Sequence, residues 1–562
     1  MGEAAKLFED ILAARGLTGA DRQAFLSPSY DSKHDPFLLP DMDKAVDRLA
    51  QARENQDPIT IYGDYDIDGL TATSVLLDAF SSFGFEQVEA FIPNRFVEGY
   101  GLTIDAVEKI AKQGAKLIVT VDCGSLSEKE IIRAGELGVD IIVTDHHNVA
   151  PNQPPAVAVV NPKRLLQDYP DSYENFILKT DESIYPFVDL AGVGVAFKLV
   201  QALQTRLDGL PAGHEKWLLD LVALGTVCDI VTLRDENRAN VFWGLEVMRK
   251  TRRPGLRALM AVSKVEPEKL NSRSLGFALG PRMNAAGRLE TATHALDMLL
   301  AADGMSALEK AQQLDAMNVS RRADQDAIFK AAIEQAELYI NDPVLVVSHP
   351  DWNHGIIGIV AAKLLERYKK PTYVLQEMGE ESKGSARSYG DFSAADAIRA
   401  SDDIITKGGG HKLAAGVTLP TKNIAAFRAR VNEFYRSKNL FNQPDLLLPK
   451  ADVTVESLAA VSEELIDLLG SMEPFGSGNP EPILRAENLV ATGIRRMGTD
   501  NQHVKLTLRD QAGGSMQFLA FSAPEHFFLE PGESATIWFQ PGLNEWQGRR
   551  SVEGRLLHLE AN

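Results

Sequence analysis

The sequence predicts a multidomain α/β protein, in which a parallel-sheet domain leads through a long connecting helix to a second α/β domain and then to a C-terminal β-barrel. Three observations carry this. From Pro58 short β-branched runs alternate with helical periods, the alternation restarts after Pro343, and beyond about residue 445 polar and apolar residues alternate between turn formers. At 562 residues the chain far exceeds what one hydrophobic core supports, so several domains are required.

Residues 1–57 read as short helices around a polar, Pro-containing link, SPSYDSKHDPFLLPD. Over 58–250 the order is ITIYG, LTATSVLLDAFSSFG, VEAFIPN, TIDAVEKIAKQG, KLIVTVD, SEKEIIRAGELG and DIIVTDHH, which is strand and helix in turn, a parallel sheet covered by helices. RLLQDYPDSYENFILKTDESIYP, at 164–186, has no clean period and reads as a surface excursion. A helical connector fills 251–340, ending in the long helix SALEKAQQLDAMNVSRRADQDAIFKAAIEQAELYI. VLVVSHP opens the second α/β domain, 341–440, and HVKLTLRD, SMQFLAFSA and a hairpin-like final stretch make 445–562 a small barrel, in pattern of the OB type.

Composition narrows the function. Apolar residues at 44% with no run long enough for a bilayer predict no membrane anchor, and the acid-containing N-terminus predicts no export signal. Two cysteines, Cys123 and Cys228, are too few for a disulfide framework and read as small packing residues, which fits a reducing cytoplasm. The net charge of −20 opposes simple phosphate binding unless the acids cluster as metal ligands, because bound cations invert the local sign.

The acids do cluster. In IYGDYDIDG, Asp64, Asp66 and Asp68 alternate with other residues, which in an extended segment places three carboxylates on one side. Such neighbours repel and lose charge unless cations lie between them, although a solvated acidic turn is the plain alternative. Asp122 closes KLIVTVD, and Asp145-His146-His147 closes DIIVTDHH. All sit at C-terminal ends of predicted parallel strands, where open α/β sheets build their sites. Asp229, an acid inside the apolar LVALGTVCDIV, is a ligand or a helix cap. Carboxylate and imidazole donors together suit Mn²⁺ or, less well, Mg²⁺.

GDYDIDG, VDCG, TDHH and GTVCD, in this order, resemble the four motifs of the DHH phosphoesterase superfamily. FIPNRFVEGYGL, LAGVGVAFKL and GPRMNAAGRLE resemble its RecJ family in particular, and GGGHKLAAG resembles the signature of the DHHA1 accessory domain. The resemblance runs from about 58 to 420, and EPFGSGNPEP at 473–482 extends it into the barrel.

That resemblance implies a two-ion site, with Asp66, Asp68, Asp122, His146 and Asp229 as ligands, Asp122 bridging, and Asp64 a further ligand or an acid beside one. His147 would face the scissile phosphate. It also implies a 5′-to-3′ exonuclease on single-stranded DNA, releasing mononucleotides from a cleft between the α/β domains, with a single-strand-binding protein and a helicase as partners. Two rivals are a hydrolase of short RNAs or cyclic dinucleotides, which needs no barrel, and a non-catalytic replication scaffold, which would have lost ligands.

Phosphate handling is expected downstream. Gly408, Gly409 and Gly410 would let backbone N–H groups form an anion nest, with His411 adding a hydrogen bond. His354 precedes a helix whose N-terminus can hold phosphate. Arg282, Arg288, Ser385 and Arg387 would form a fork for a terminal phosphate, read in the family as the 5′ end. In the barrel Phe518, Phe521, Trp538, Trp546, Arg495-Arg496 and Arg549-Arg550 are candidates for stacking and backbone charge contacts.

Overall fold

The computed structural model describes all residues except 1, 100, 170–172, 175–176, 179–182, 442 and 547, with backbone alone at 168, 173–174, 177–178 and 546. It resolves into two compact units, Met1–Asn284 with Thr291–Gln312 and Pro449–Asn562, and Ala285–Glu290 with Gln313–Leu448.

In the first unit, β1 (Ile59–Gly63), β2 (Val88–Phe91), β3 (Leu117–Val121), β4 (Asp140–Thr144) and β5 (Ala158–Val160) form one sheet in the order β2-β1-β3-β4-β5. Every pairing is parallel. Strand order reverses between β1 and β3, and at such a switch point the loops leaving the C-terminal strand ends diverge and open a crevice. Strands β1 and β3 are buried along their whole length, because helices cover both faces. The helix Gly192–Gln204 is apolar nearly all round and buried at eleven positions.

The excursion after Arg164 is partly outside the described residues; its described part holds a short helix, Leu165–Asp168, and two strands, β6 (Tyr173–Glu174) and β7 (Ile177–Leu178). The long helix runs from Gly304 to Leu338 as one element of 35 residues. Among the described residues no helix is long and apolar enough to cross a membrane.

The second unit contains β8 (Leu345–His349), β9 (Thr372–Met378), β10 (Glu381–Arg387), β11 (Lys407–Gly410) and β12 (Ala414–Pro420), in the order β11-β12-β10-β9-β8. Only β8 and β9 run parallel.

The C-terminal strands belong to the first unit: β13 (Val453–Val455), β14 (Leu484–Met497), β15 (His503–Arg509), β16 (Ser515–Ala520), β17 (Ser534–Trp546) and β18 (Arg549–Ala561). Pairing of β14 with β17 closes a five-stranded barrel. Its core also takes in Leu7, Phe8, Ile11 and Leu12 of the N-terminal helix Glu3–Ala14. Each such side chain contributes about 1.5–3 kcal/mol on burial, so the two ends of the chain form one folded body. Arg15 adds a two-pronged contact to Asp452, at 2.7 and 3.1 Å.

Candidate metal centre

β1 ends at Gly63, and the following acids do not continue as a strand. Asp66 caps the helix Ile67–Phe83, its Oδ1 accepting the N–H of Asp68 at 2.9 Å and of Gly69 at 3.3 Å, and Asp68 lies in the first turn. The extended alternation expected for Asp64, Asp66 and Asp68 is therefore corrected to a strand-to-helix turn: a carboxylate at the N-cap satisfies orphan amides that a strand would not present. The turn still gathers the acids.

Asp122 follows β3 with φ of 62°, a left-handed conformation that costs energy in a non-glycine residue and is common at functional sites. Asp145, His146 and His147 follow β4. Asp229 is the C-cap of the helix Leu219–Cys228.

These elements converge. Three overlapping groups, Asp64-Asp66-Asp122, Asp122-His146-His147 and Asp68-His146-Asp229, each bring one donor atom per residue within 4.8 Å of the others. His146 Nε2 lies 3.0 Å from Asp122 Oδ1, 3.6 Å from Asp229 Oδ2 and 3.7 Å from Asp68 Oδ2. Asp64, Asp68, Asp122 and His146 are buried, yet Asp64 Oδ1, Asp122 Oδ1, Asp229 Oδ2 and His146 Nε2 make no hydrogen bond. Buried, unpartnered carboxylates cost several kcal/mol each, and divalent cations held by oxygen and imidazole donors remove that cost.

The electrostatics agree. Burial first, and the neighbouring Asp66 second, push Asp64 up to about 8 and Asp68 up to about 7. Burial and Asp68 push Asp229 up to about 9, and Asp122 rises well above the usual carboxylate range through burial and Asp68. Burial lowers His146 to about 3, keeping it a neutral donor.

Several supporting residues are not evident in the sequence. Gly192 and Val193 donate backbone N–H groups to Asp68 at 2.6 and 2.9 Å. A Cβ on Gly192 would stand 2.8 Å from Asp122 Cβ and 2.9 Å from Asp68 Oδ2, so only glycine fits; the glycine opening the apolar GVGVAFKL run was the available signal. Asp145, noted in the sequence but given no role, receives His146 N, His147 N and His147 Nδ1 on Oδ1 and Ser125 N on Oδ2. Burial pushes its carboxyl up, but the His147 hydrogen bond, the charges of His147 and His146 and the Ser125 backbone N–H together outweigh burial and hold it well below the usual range. Cys123 is buried in the core and Cys228 packs under Gly280.

In the second unit Lys407–Gly410 forms an edge strand paired with Ala414–Pro420, not the expected anion nest. Cross-strand pairing takes the backbone into an extended ladder, whereas a nest needs consecutive N–H groups turned to one side. The face is nevertheless open. Ser385 pairs across Gly416, which pairs across Gly409, and a Cβ on Gly409 would meet nothing within 4 Å. His354, Ser385, Gly408 and Gly409 line this concavity together with Lys383 and Lys407, two cations not singled out from sequence. Gly410 has φ of 137°, and exposed His411 forms the adjoining turn.

Arg387 Nη2 and Ser385 Oγ lie beneath the first turn of the helix Ile357–Tyr368, at 3.3 and 3.5 Å from where a Gly358 Cβ would be. Burial lowers the Arg387 pKa. Arg288 donates to Gly355 O at 2.9 Å, and His354 Nδ1 contacts Gln376 Oε1 at 2.9 Å. Arg282 belongs to the first unit, where it donates to Ala278 O at 2.7 Å. In the barrel Phe518 is core and Phe521 is exposed, Trp538 is half-buried beside Arg485, and the Trp546 side chain lies outside the described residues.

Comparison with known proteins identifies three domains in this order: the DHH family N-terminal domain at 58–226, the DHHA1 domain at 341–437 and the RecJ OB domain at 452–558. The single-stranded-DNA-specific exonuclease RecJ of Bacillus subtilis is 37% identical over 97% of this chain and 67% of that protein. Its counterpart from Dickeya dadantii is 33% identical over 93% of this chain and 91% of its own length. The crystal structure of RecJ with Mn²⁺ from Thermus thermophilus superposes with a TM-score of 0.82 at 28% identity, over 99% of this chain and 78% of that one, and a second structure of that protein holds Mg²⁺. With all three domains present and about one third of residues identical along nearly the whole sequence, the chain belongs to the RecJ family of single-stranded-DNA-specific exonucleases.

Proposed function

We propose that the protein is a metal-dependent exonuclease that degrades single-stranded DNA from 5′ to 3′ into mononucleotides, in the cytoplasm, during DNA repair and recombination. The observation that carries this reading is the convergence of three overlapping donor groups in a chain that matches single-stranded-DNA exonucleases along nearly its whole length. A hydrolase of short RNAs would not need the barrel, and a scaffold would not retain every carboxylate.

Asp66, Asp68, Asp122, His146 and Asp229 would hold two Mn²⁺ or Mg²⁺ ions; Asp122, which belongs to two of the three donor groups, would serve both, and Asp64 would be a further ligand or a supporting acid. Bound there, the ions would supply Lewis acidity to the phosphodiester and lower the pKa of the attacking water. Asp145 fixes His147 through Nδ1, so any contact to the scissile phosphate comes from Nε2. Burial pulls the His147 pKa down, but the hydrogen bond and charge of Asp145, with the charge of Asp68, together outweigh it and the net shift is upward. No serine or cysteine nucleophile is required.

Arg288, Ser385 and Arg387 take the 5′ phosphate, with Arg282 as a further phosphate contact, and His354, Gly409, Gly410 and His411 follow the backbone. The barrel holds the strand through surface cations and exposed aromatics such as Phe521. A single-strand-binding protein and a helicase are the partners that would deliver such substrate.

The test offers purified protein with Mn²⁺ long single-stranded DNA, duplex DNA, a dinucleotide and pyrophosphate in parallel. Mononucleotides should form from the long single strand at the highest kcat/KM; preference for the dinucleotide or for pyrophosphate would refute the proposal.

A further inference from the structure

Four consecutive polar residues, Asp235-Glu236-Asn237-Arg238, open the helix Asp235–Arg249, and the last three are buried. Each holds a different segment. Asp235 Oδ1 lies 2.8 Å from His34 Nε2. Glu236 accepts from Lys198 Nζ and Tyr185 OH, both at 2.5 Å. Asn237 Nδ2 donates to the carbonyls of Asp189, at 2.5 Å, and Thr232, at 3.1 Å. Arg238 donates to Phe25 O and to the carbonyls of Met472, Glu473 and Pro474, and its guanidinium lies 3.7 Å from the centre of the Phe25 ring.

Arg238 thus seats residues 473–479, which lead into the barrel, on the loop that follows Asp229. The seat is close. Leu233 N donates to Ser477 O at 2.8 Å, and Ser272 Oγ donates to Phe475 O at 2.6 Å. A Cβ on Gly476 would lie 2.7 Å from Leu233 Cδ1, and one on Gly478 would lie 2.4 Å from Thr232 Cγ2. From the other side Asp189 Oδ2 accepts Thr232 N at 3.1 Å. Between Asp229 and this clamped pair stand only Ile230, at φ of 62°, and Val231. A β-branched residue keeps such a φ only where its surroundings enforce it.

We propose that residues 473–479, seated by Arg238, position Asp229, so that the segment leading into the barrel also shapes the metal site. This rests on the reading of Asp229 as a ligand. Groups that orient ligands typically change metal affinity by about 10–100-fold when altered.

Mn²⁺ is titrated into the chelator-treated full-length protein, and free Mn²⁺ is followed by electron paramagnetic resonance. Gly476→Ala, which crowds Leu233, and Arg238→Met should raise the Kd roughly tenfold. Ser272→Ala removes one hydrogen bond and leaves the fold in place, so it carries the test if the others do not fold; its Kd should rise about threefold. Leu506→Val thins the barrel core away from this segment, and should lower the melting temperature with the Kd unchanged. A wild-type Kd in both Gly476→Ala and Ser272→Ala, or an equal rise in Leu506→Val, overturns the proposal. A wild-type Kd in Asp229→Ala overturns instead the ligand assignment beneath it.

Discussion

His147 Nδ1 lies 2.8 Å from Asp145 Oδ1, and the same oxygen accepts the backbone N–H of His147 at 3.1 Å. Asp145 therefore fixes both the ring and the chain that carries it. Asp145→Asn keeps the shape but offers its Nδ1 partner a weaker, neutral acceptor or a rotated amide. It should lower kcat by one to two decades on single-stranded DNA. Melting should shift by only a few degrees. Wild-type turnover in this variant would mean that His147 needs no such support.

The buried acids make the metal-free protein sensitive to pH. Asp64, Asp68 and Asp229 titrate near 8, 7 and 9, against an ordinary value of 3.8. Between these limits the folded state binds more protons than the unfolded state, so stability falls as pH rises from about 4 to about 9. Cations displace those protons and relieve the repulsion. Chelated protein should melt lower at pH 9 than at pH 6, and Mn²⁺ should raise the melting temperature more at pH 9. Binding should also release protons, read by calorimetry in buffers of different ionisation enthalpy. Asp122→Ala should remain folded and inactive in saturating Mn²⁺; near-normal turnover would overturn the two-ion reading.

The strands of the first sheet are legible because β-branched runs ending in acids state both the strand and its C-terminal end, and that alone places Asp64, Asp122, Asp145 and His146 at the C-terminal ends of the strands. What stayed hidden depends on partners far away in sequence. Asp66 as an N-cap competes with the strand pattern of alternating acids, and local amide satisfaction wins. Gly408–Gly410 reads as an anion nest until the pairing of Lys407–Gly410 with Ala414–Pro420 is known. Asp235–Arg238 looks like an ordinary charged helix start; only burial reveals it as a junction. The N-terminal helix in the barrel core lies more than 430 residues from its partners, beyond any periodicity.

That last contact changes the expectation for a truncated protein. If the barrel only gripped substrate, a chain ending near residue 445 would still cleave very short oligonucleotides. Removing it, however, uncovers Leu7, Phe8, Ile11 and Leu12 and empties the carbonyl cage of Arg238. Ile11→Ala in the full chain should cost about 2–5 kcal/mol by denaturant unfolding. The truncated chain should lose activity on short and long substrates together, with a lower melting temperature. Full activity on short oligonucleotides after truncation would show that the catalytic sheet stands alone.

Polarity is the sharpest test of the functional reading. Arg387 is half-buried, donates to Ala386 O at 2.8 Å, and has no ion-pair partner among the described residues, while Ser385 lies on the same face of the strand. A desolvated guanidinium of this kind suits a phosphate monoester. A charge-assisted contact is worth about 1.5–3 kcal/mol, so Arg387→Ala should weaken use of 5′-phosphorylated strands by roughly one to two decades. The variant should then discriminate less between phosphorylated and hydroxyl 5′ ends. With the two ends of one strand labelled differently, the 5′ label should leave first, as a mononucleotide. Early release of the 3′ label, or cutting within a circular single strand, would refute the 5′-to-3′ reading even with every metal ligand correct.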